Sequence, residues 1–86
     1  MYIHLGSDTV IRTKEIVGIF DLDSTTVSKH TRKFLNLAER RGEVETVTFE
    51  LPKAFVLCKS KEKSKIYLTQ LSSTTLEKRA SIRNEE

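Results

Sequence analysis

The segment Glu15-Ile-Val-Gly-Ile-Phe-Asp-Leu-Asp-Ser24 constrains the fold more than any other part of this chain. A continuous apolar run, residues 16–20, ends in an acidic turn, and residues suited to begin a helix follow at once. The run is too short to bury itself and too continuous to form one face of a surface element. We therefore expect a central strand with a neighbouring strand on each side.

The length of the chain, 86 residues, allows one small domain, which we expect to occupy residues 1–82, followed by a frayed tail at residues 83–86. A domain of this size buries only roughly 60% of the surface that its unfolded chain exposes, so self-association would add useful buried area. The single cysteine, Cys58, excludes an intrachain disulfide, and its apolar neighbours indicate a buried thiol.

The order of the predicted elements indicates an α+β domain. A long amphipathic helix should begin at Asp23 or Ser24 and end near Arg41, where Gly42 supplies the left-handed residue that ends many helices. A short C-terminal helix should open at Ser72-Ser73, and Thr74-x-x-Glu77 has the spacing of a capping box. The strands are predicted at residues 2–5, 9–13, 16–20, 44–49, 54–59 and 65–70. Because most connections are short, the sheet should be mostly antiparallel.

The predicted long helix has two chemically distinct faces. At a period of 3.6 residues its apolar side gathers Val27, Thr31, Phe34, Leu35 and Ala38. The opposite side gathers Lys29, Arg32, Lys33, Asn36 and Arg40, with Glu39 as the only acid on that half. Such a face is either ordinary solvated surface or a phosphate-binding surface, and surface helices more often mix both signs of charge. The four cations are therefore candidate DNA contacts.

A second basic element is the predicted hairpin tip at residues 59–65, which has lysine at alternate positions. Lysines at a strand end protect a sheet edge from aggregation, and they also suit sequence-independent contact with a phosphate backbone. Both interpretations remain open. The net charge of +3 permits an anionic partner without requiring one.

No catalytic residue, metal site or cofactor site is predicted, and the chain is not expected to be an enzyme. His4 and His30 lack a carboxylate pair, a nucleophile or a metal-ligand cluster at suitable spacing. Asp21 and Asp23 fit a turn and a helix cap better than a cation site. The sequence after Met1 lacks the features of a secretory signal, and no segment approaches the ~20 apolar residues that span a bilayer. We therefore expect a cytoplasmic protein without membrane contact.

Four stretches together resemble the RemA/RemB family of extracellular-matrix (biofilm) regulators of Gram-positive bacteria. They are MYIHLG at residues 1–6, EIVGIFD at 15–21, PKAFV at 52–56 and IYLTQLSSTTLEKRA at 66–80. The resemblance runs from Met1 to about Ala80, and its specificity comes from the order and spacing of the stretches. The opening hexapeptide and the Pro52-Lys53 step resemble the RemB branch in particular.

The resemblance implies a DNA-binding transcription regulator that assembles into rings, as the RemA branch does. The DNA-contact arginines of that branch lie in the turn before the third strand and in a pair just before the strand that begins here near Ala54. In this chain Glu15 occupies the turn position, and Glu50 and Leu51 replace the pair. The cations nearest to these positions, and hence the candidate contacts implied by the resemblance, are Arg12, Lys14 and Lys53.

Two hypotheses follow. The first is a homo-oligomeric, ring-forming regulator that binds double-stranded DNA through these cations and those of the helix. The alternative is an oligomeric protein-interaction module of the same family that has lost direct DNA binding and contacts a related regulator. The acids at Glu15 and Glu50 motivate the alternative, because they would repel phosphate.

Overall fold

Six strands and two helices form an α+β fold in the computed structural model, which describes residues 2–6, 9–22, 29–48 and 50–84, the last four by backbone alone. A single 3₁₀ turn, Thr13–Glu15, links the second and third strands. In chain order the elements are β1 (Tyr2–Gly6), β2 (Thr9–Arg12), β3 (Ile16–Asp21), α1 (Lys29–Arg40), β4 (Val44–Thr46), β5 (Ala54–Ser60), β6 (Lys63–Thr69) and α2 (Ser73–Asn84).

The strands form two sheets. Strands β1 and β2 make an antiparallel hairpin, and the other four form a sheet in the order β3-β5-β6-β4. Only the β4–β6 pair is parallel among these described strands, so the expectation of mostly antiparallel pairing is confirmed. The parallel pair arises because α1 connects β3 to β4 across one face of the sheet, which allows β4 to enter beside β6 in the same direction.

Strand β3 lies at the edge of the four-stranded sheet, so the prediction of a central strand is wrong. In the described part of the chain it pairs with β5 alone, and Val17 is 60% exposed. The two interior strands are β5 and β6, and β5, which pairs with β3 and β6, buries residues on both of its faces. The apolar run of β3 is explained by its two sides, since Ile16 and Ile19 pack in the core while Phe20 stacks on Phe55.

The two faces of β5 belong to two cores, because successive side chains of a strand point to opposite faces. The first core joins the β1–β2 hairpin and α2 to the sheet, and its buried members are Ile3, Leu5, Ile11, Ala54, Val56, Cys58 and Leu76. The second lies under α1 and contains Ala38, Phe55 and Ile66. The prediction that Cys58 is buried is confirmed.

A buried hydroxyl ties the hairpin to the larger sheet. The Thr69 Oγ1 hydroxyl donates a hydrogen bond to the Leu5 carbonyl at 2.7 Å and accepts one from the Leu71 N–H at 3.1 Å. Thr69 is fully buried, and its bond to Leu5 is shielded from water, while its bond from Leu71 is partly buried. The two bonds satisfy backbone groups, of which the Leu5 carbonyl would otherwise be desolvated without a partner.

The sequence predicted the C-terminal end of α1 correctly, but it did not predict the relative lengths of the two helices. Gly42 has φ +74 just beyond α1, as expected for the residue that ends a helix. The predicted start of this helix at residues 23–28, including Val27, lies outside the described residues. Both described helices have 12 residues, so the contrast of one long and one short helix is not confirmed.

The start of α2 at Ser72-Ser73 agrees with the prediction, but the predicted Thr74-Glu77 capping box does not form its N-terminus. Ser72 Oγ accepts a hydrogen bond from the Thr75 N–H at 3.1 Å, which makes Ser72 the capping residue. Thr74 lies inside the first turn, where it is too late in the chain to act as the cap of a Thr74-Glu77 box. The helical backbone continues to Asn84, and the division into a domain at residues 1–82 and a tail at 83–86 stays a prediction.

Candidate nucleic-acid interface

Helix α1 presents a basic stripe because its other side is held against the sheet. Ala38 is buried with Phe55 and Ile66, and Leu35 packs against the same cluster. The side chains predicted for the opposite face are all exposed, namely Lys29, Arg32, Lys33, Asn36 and Arg40. On the predicted apolar side Ala38 is buried, Thr31 and Leu35 are partly buried, and Phe34 is 43% exposed, so the predicted amphipathic character of the helix is not confirmed in full.

The cations of α1 form a continuous surface. Lys29, Arg32 and Lys33 line a shallow depression of about 410 Å³ together with His30 and Asn36. Arg40 lies further along the same side of the helix, so the stripe from Lys29 to Arg40 is about 16 Å long at the α-helical rise of ~1.5 Å per residue. That length corresponds to roughly five phosphates along one strand of duplex DNA, at ~3.4 Å of axis each.

Among the described residues, no ion pair joins an acid to this stripe, and Glu39 is the acid that lies on the same half of α1. The ion pair present among the described residues joins Lys65 Nζ to Glu45 Oε1 at 2.7 Å, on strands β6 and β4. No cation of α1 makes an ion pair within the described part of the chain. Exposed ammonium and guanidinium groups on one face, without such partners, create a local positive potential that attracts polyanions.

The turn between β2 and β3 has the opposite character. Arg12 and Lys14 are exposed there, but Glu15 follows directly and lines a cleft of about 490 Å³, whose other charged lining residues are Glu43, Glu62, Lys63 and Lys65. Burial, and then the negative charge of Glu15, raise the pKa of the Cys58 thiol in this cleft to about 11. The carboxylates reduce the attraction of this turn for phosphate.

Lys53 lies at the other end of the sheet from that turn. The register of β3 on β5 runs from Ile16 opposite Cys58 to Asp21 opposite Ala54, so β3 separates the two regions by about 17 Å at ~3.4 Å per residue. The Lys53 backbone is held on both sides, since its N–H donates to Thr69 O at 2.8 Å and its carbonyl accepts from the Leu22 N–H at 2.7 Å. Its side chain is exposed. The structure thus groups the helix cations and does not bring Lys14 and Lys53 together.

An aromatic cleft beside the basic stripe was not predicted from the sequence. It has a volume of about 330 Å³ and is lined by Phe20, His30, Thr31, Phe34, Phe55 and Leu57. The Phe20 and Phe55 rings are stacked with centroids 4.8 Å apart, and the Phe34 ring lies 6.4 Å from Phe55. Sequence reasoning missed the cleft because it placed Phe34 on the buried face and β3 in the middle of the sheet.

Gly18 is a sequence signal for this cleft. A Cβ atom at that position would lie 2.8 Å from the Phe20 ring, which is closer than real Cβ contacts allow. The glycine therefore lets the ring fold back over the strand and stack on Phe55. A glycine within an otherwise apolar strand often marks such a close approach.

The described residues contain no group of three or more His, Cys, Asp or Glu side chains arranged to hold a metal ion. Neither α1 nor α2, as far as they are described, is long and apolar enough to cross a membrane.

Comparison with known proteins adds one relative. No model of a protein family matches the sequence. The extracellular matrix regulatory protein B of Bacillus subtilis (strain 168) is 40% identical over 80 residues, which cover 93% of this chain and 90% of the relative. Identity at this level over nearly the full length of both proteins agrees with the resemblance in the four stretches. The chain belongs to the RemA/RemB family of extracellular-matrix regulators, in its RemB branch.

Proposed function

We propose that this protein is a homo-oligomeric, ring-forming transcription regulator of the bacterial extracellular matrix, and that α1 is its DNA-contacting surface. The name of the Bacillus subtilis relative supports the regulatory setting. The observation that carries the DNA contact is the stripe of exposed cations Lys29, Arg32, Lys33 and Arg40, without an ion pair in the described part of the chain. The protein acts in the cytoplasm and catalyses no reaction.

The stripe would bind DNA through phosphates. Each Lys or Arg that neutralises a phosphate releases condensed counterions, which supplies affinity without reading the base sequence. One helix with four cations binds weakly on its own. A closed assembly repeats the stripe around its circumference, so that one long duplex engages several copies at once and avidity adds to the affinity of each copy.

We propose that this chain contacts DNA through α1 and not through the positions of the RemA arginines. Glu15 lies in the turn and Glu50 precedes Leu51 at the positions of the family arginines, and both carboxylates oppose phosphate binding. Arg12, Lys14 and Lys53 would then make secondary contacts, since each is exposed but isolated from the helix stripe.

The test is a titration of a long duplex with protein at several salt concentrations. The variant K29Q/R32Q/K33Q/R40Q should bind more weakly, and its slope of log K against log[salt] should be smaller by up to about 3.6, at ~0.9 for each lost phosphate contact. K59Q/K61Q/K63Q/K78Q also removes four exposed positive charges, three of them at the hairpin tip, so it compares the helix with the second basic element at equal net charge. K14Q/K53Q tests the positions implied by the family. Equal losses in the helix variant and the hairpin-tip variant would show that DNA contact is not specific to the helix and would refute a specific helix surface.

The alternative function is an oligomeric module that binds a related regulator protein and not DNA. The observation in its favour is the exposed Leu51 beside Glu50, since an apolar and an acidic residue stand where DNA-binding arginines are expected. Absence of any DNA complex at low salt, together with capture of the related regulator, would favour this alternative and exclude the first proposal.

A further inference from the structure

Leu51 projects from the loop before β5 and is 89% exposed. Hydrogen bonds hold the loop before and after it: the Glu50 N–H donates to the Thr48 Oγ1 hydroxyl at 3.0 Å, and the Lys53 backbone is bonded through both its N–H and its carbonyl. The leucine is thus presented at a defined position. A single exposed leucine is common on protein surfaces and implies nothing by itself, so its meaning depends on a complementary surface.

Such a surface exists on the same chain. The aromatic cleft is open to solvent, as Phe20 and Phe34 are each 43% exposed, and its volume of about 330 Å³ can admit a leucine side chain. Leu51 does not fill the cleft of its own chain, because it is itself almost fully exposed. The exposed Leu51 side chain and the aromatic cleft are complementary apolar surfaces on one chain, so two copies can bind each other through them.

The charges around the two surfaces are also complementary. Glu50 is exposed next to the leucine, and its carboxylate forms no ion pair within the described residues. His30 lines both the cleft and the adjoining depression, where Lys29 and Lys33 lie. When Leu51 of one copy enters the cleft of another, Glu50 therefore lies near Lys29 and Lys33.

The sheet edge next to the cleft leaves room for a partner. Strand β3 pairs only with β5 in the described part of the chain, exposes Val17 and Phe20, and has Asp21 at its end as its one charged residue. Edge strands that must stay unpaired are usually short or charged. The opposite edge, β4, is of that kind, since it has three residues and includes Glu45.

We propose that a second copy of this chain inserts its Leu51 into the aromatic cleft, with its Glu50 facing Lys29 and Lys33. In the assembly these two lysines then interact with Glu50, so Arg32 and Arg40 make the main phosphate contacts of the helix stripe. The proposal rests on the homo-oligomeric part of the proposed function and assigns its interface. It also gives the loop a role in this chain, where the loop contacts a neighbouring copy in place of DNA. An acidic, leucine-bearing segment of another protein is the competing occupant.

The first experiment measures mass in solution without DNA, by sedimentation over a range of protein concentrations. Wild-type protein should be oligomeric, and L51S and F34S should each weaken assembly by at least about tenfold, as expected when a buried apolar side chain is lost. V10S is the matched control, because Val10 is an exposed apolar residue on β2, outside the loop of Leu51 and the cleft. Far-UV circular dichroism verifies folding. Leu51 is so exposed that L51S remains informative even if F34S fails to fold.

The second experiment tests the pairing itself. E50K should weaken assembly by like-charge repulsion, and the combined variant E50K/K29E/K33E should restore it. Oxidation of a mixture of L51C and F34C chains should give a disulfide-linked heterodimer in larger yield than either chain alone.

The outcomes separate the proposals. A wild-type monomer at every concentration overturns both this interface and the homo-oligomeric part of the proposed function. A wild-type oligomer that L51S leaves unchanged, or that V10S weakens equally, overturns this interface alone. Assembly that requires a second protein bound at the cleft also overturns it, in favour of the competing occupant. DNA binding is measured separately and decides only the helix contact.

Discussion

Replacing Thr69 by valine should destabilise the fold more than its small change in shape suggests. The substitution keeps the volume but removes the hydroxyl that bonds the Leu5 carbonyl and the Leu71 N–H. The buried Leu5 carbonyl is then left unsatisfied, which costs about 1–3 kcal/mol, and the partly buried Leu71 N–H, which can bond water instead, loses roughly the 0.5–1.5 kcal/mol of a net hydrogen bond. The expected loss is about 2–4 kcal/mol, a large part of the ~5–15 kcal/mol that stabilises a typical domain.

The matched control is Thr69→Ser, which keeps the hydroxyl and removes one methyl group. Its expected cost is about 1 kcal/mol from lost apolar burial and a small cavity. The measurement is urea unfolding followed by circular dichroism, at one protein concentration because association contributes to apparent stability. T69V should lower the midpoint more than T69S, with similar m-values. If T69S is the more destabilised of the two, packing rather than hydrogen bonding holds the hairpin to the sheet, and the reasoning is refuted.

Two further predictions concern the thiol cleft and the aromatic cleft. The folded pKa of Cys58, about 11, lies above its ordinary value of 9.0, so the thiol's contribution to stability is complete below pH 9 and is lost as the pH rises to 11. Thiol-alkylation rates against pH should show this high midpoint, and Glu15→Gln should lower it; an unchanged midpoint would contradict the role of the carboxylate. Gly18→Ala should displace the Phe20 ring from Phe55, destabilise the fold by about 1–3 kcal/mol and weaken self-association. Wild-type urea stability in that variant would show that the ring relaxes without cost.

Local patterns were sufficient for several features of the chain. Gly42 ends α1 because only a residue tolerant of positive φ suits that position, and this requirement depends on the adjacent turn alone. The basic and apolar sides of α1 follow from helical periodicity, which any stable helix over these residues must obey. The burial of Cys58 follows from its place in an apolar strand.

The position of β3 shows where local patterns stop. An apolar run predicts that both sides of a strand contact other side chains. That condition is met by a central strand, and it is also met by an edge strand whose aromatic residue folds back over a glycine, as in β3. Strand order depends on which distant segments pair. Here β5 is an interior strand because it pairs with both β3 and β6. Strand order is determined by non-local pairing, so it cannot be predicted from the sequence of β3 alone.

The two candidate surfaces, the helix stripe and the aromatic cleft, differ in the same respect: the first depends on local spacing and the second on tertiary packing. The helix stripe, which the sequence determined by itself, needs one element whose residues are neighbours at fixed helical spacing. The aromatic cleft joins Phe20, Phe34 and Phe55 from three separate elements, and only their packing decided that an apolar cleft lies beside the cations. Spacing along the chain determines which side chains share a helix face, whereas contacts between distant elements determine which faces meet and which stay open to a partner.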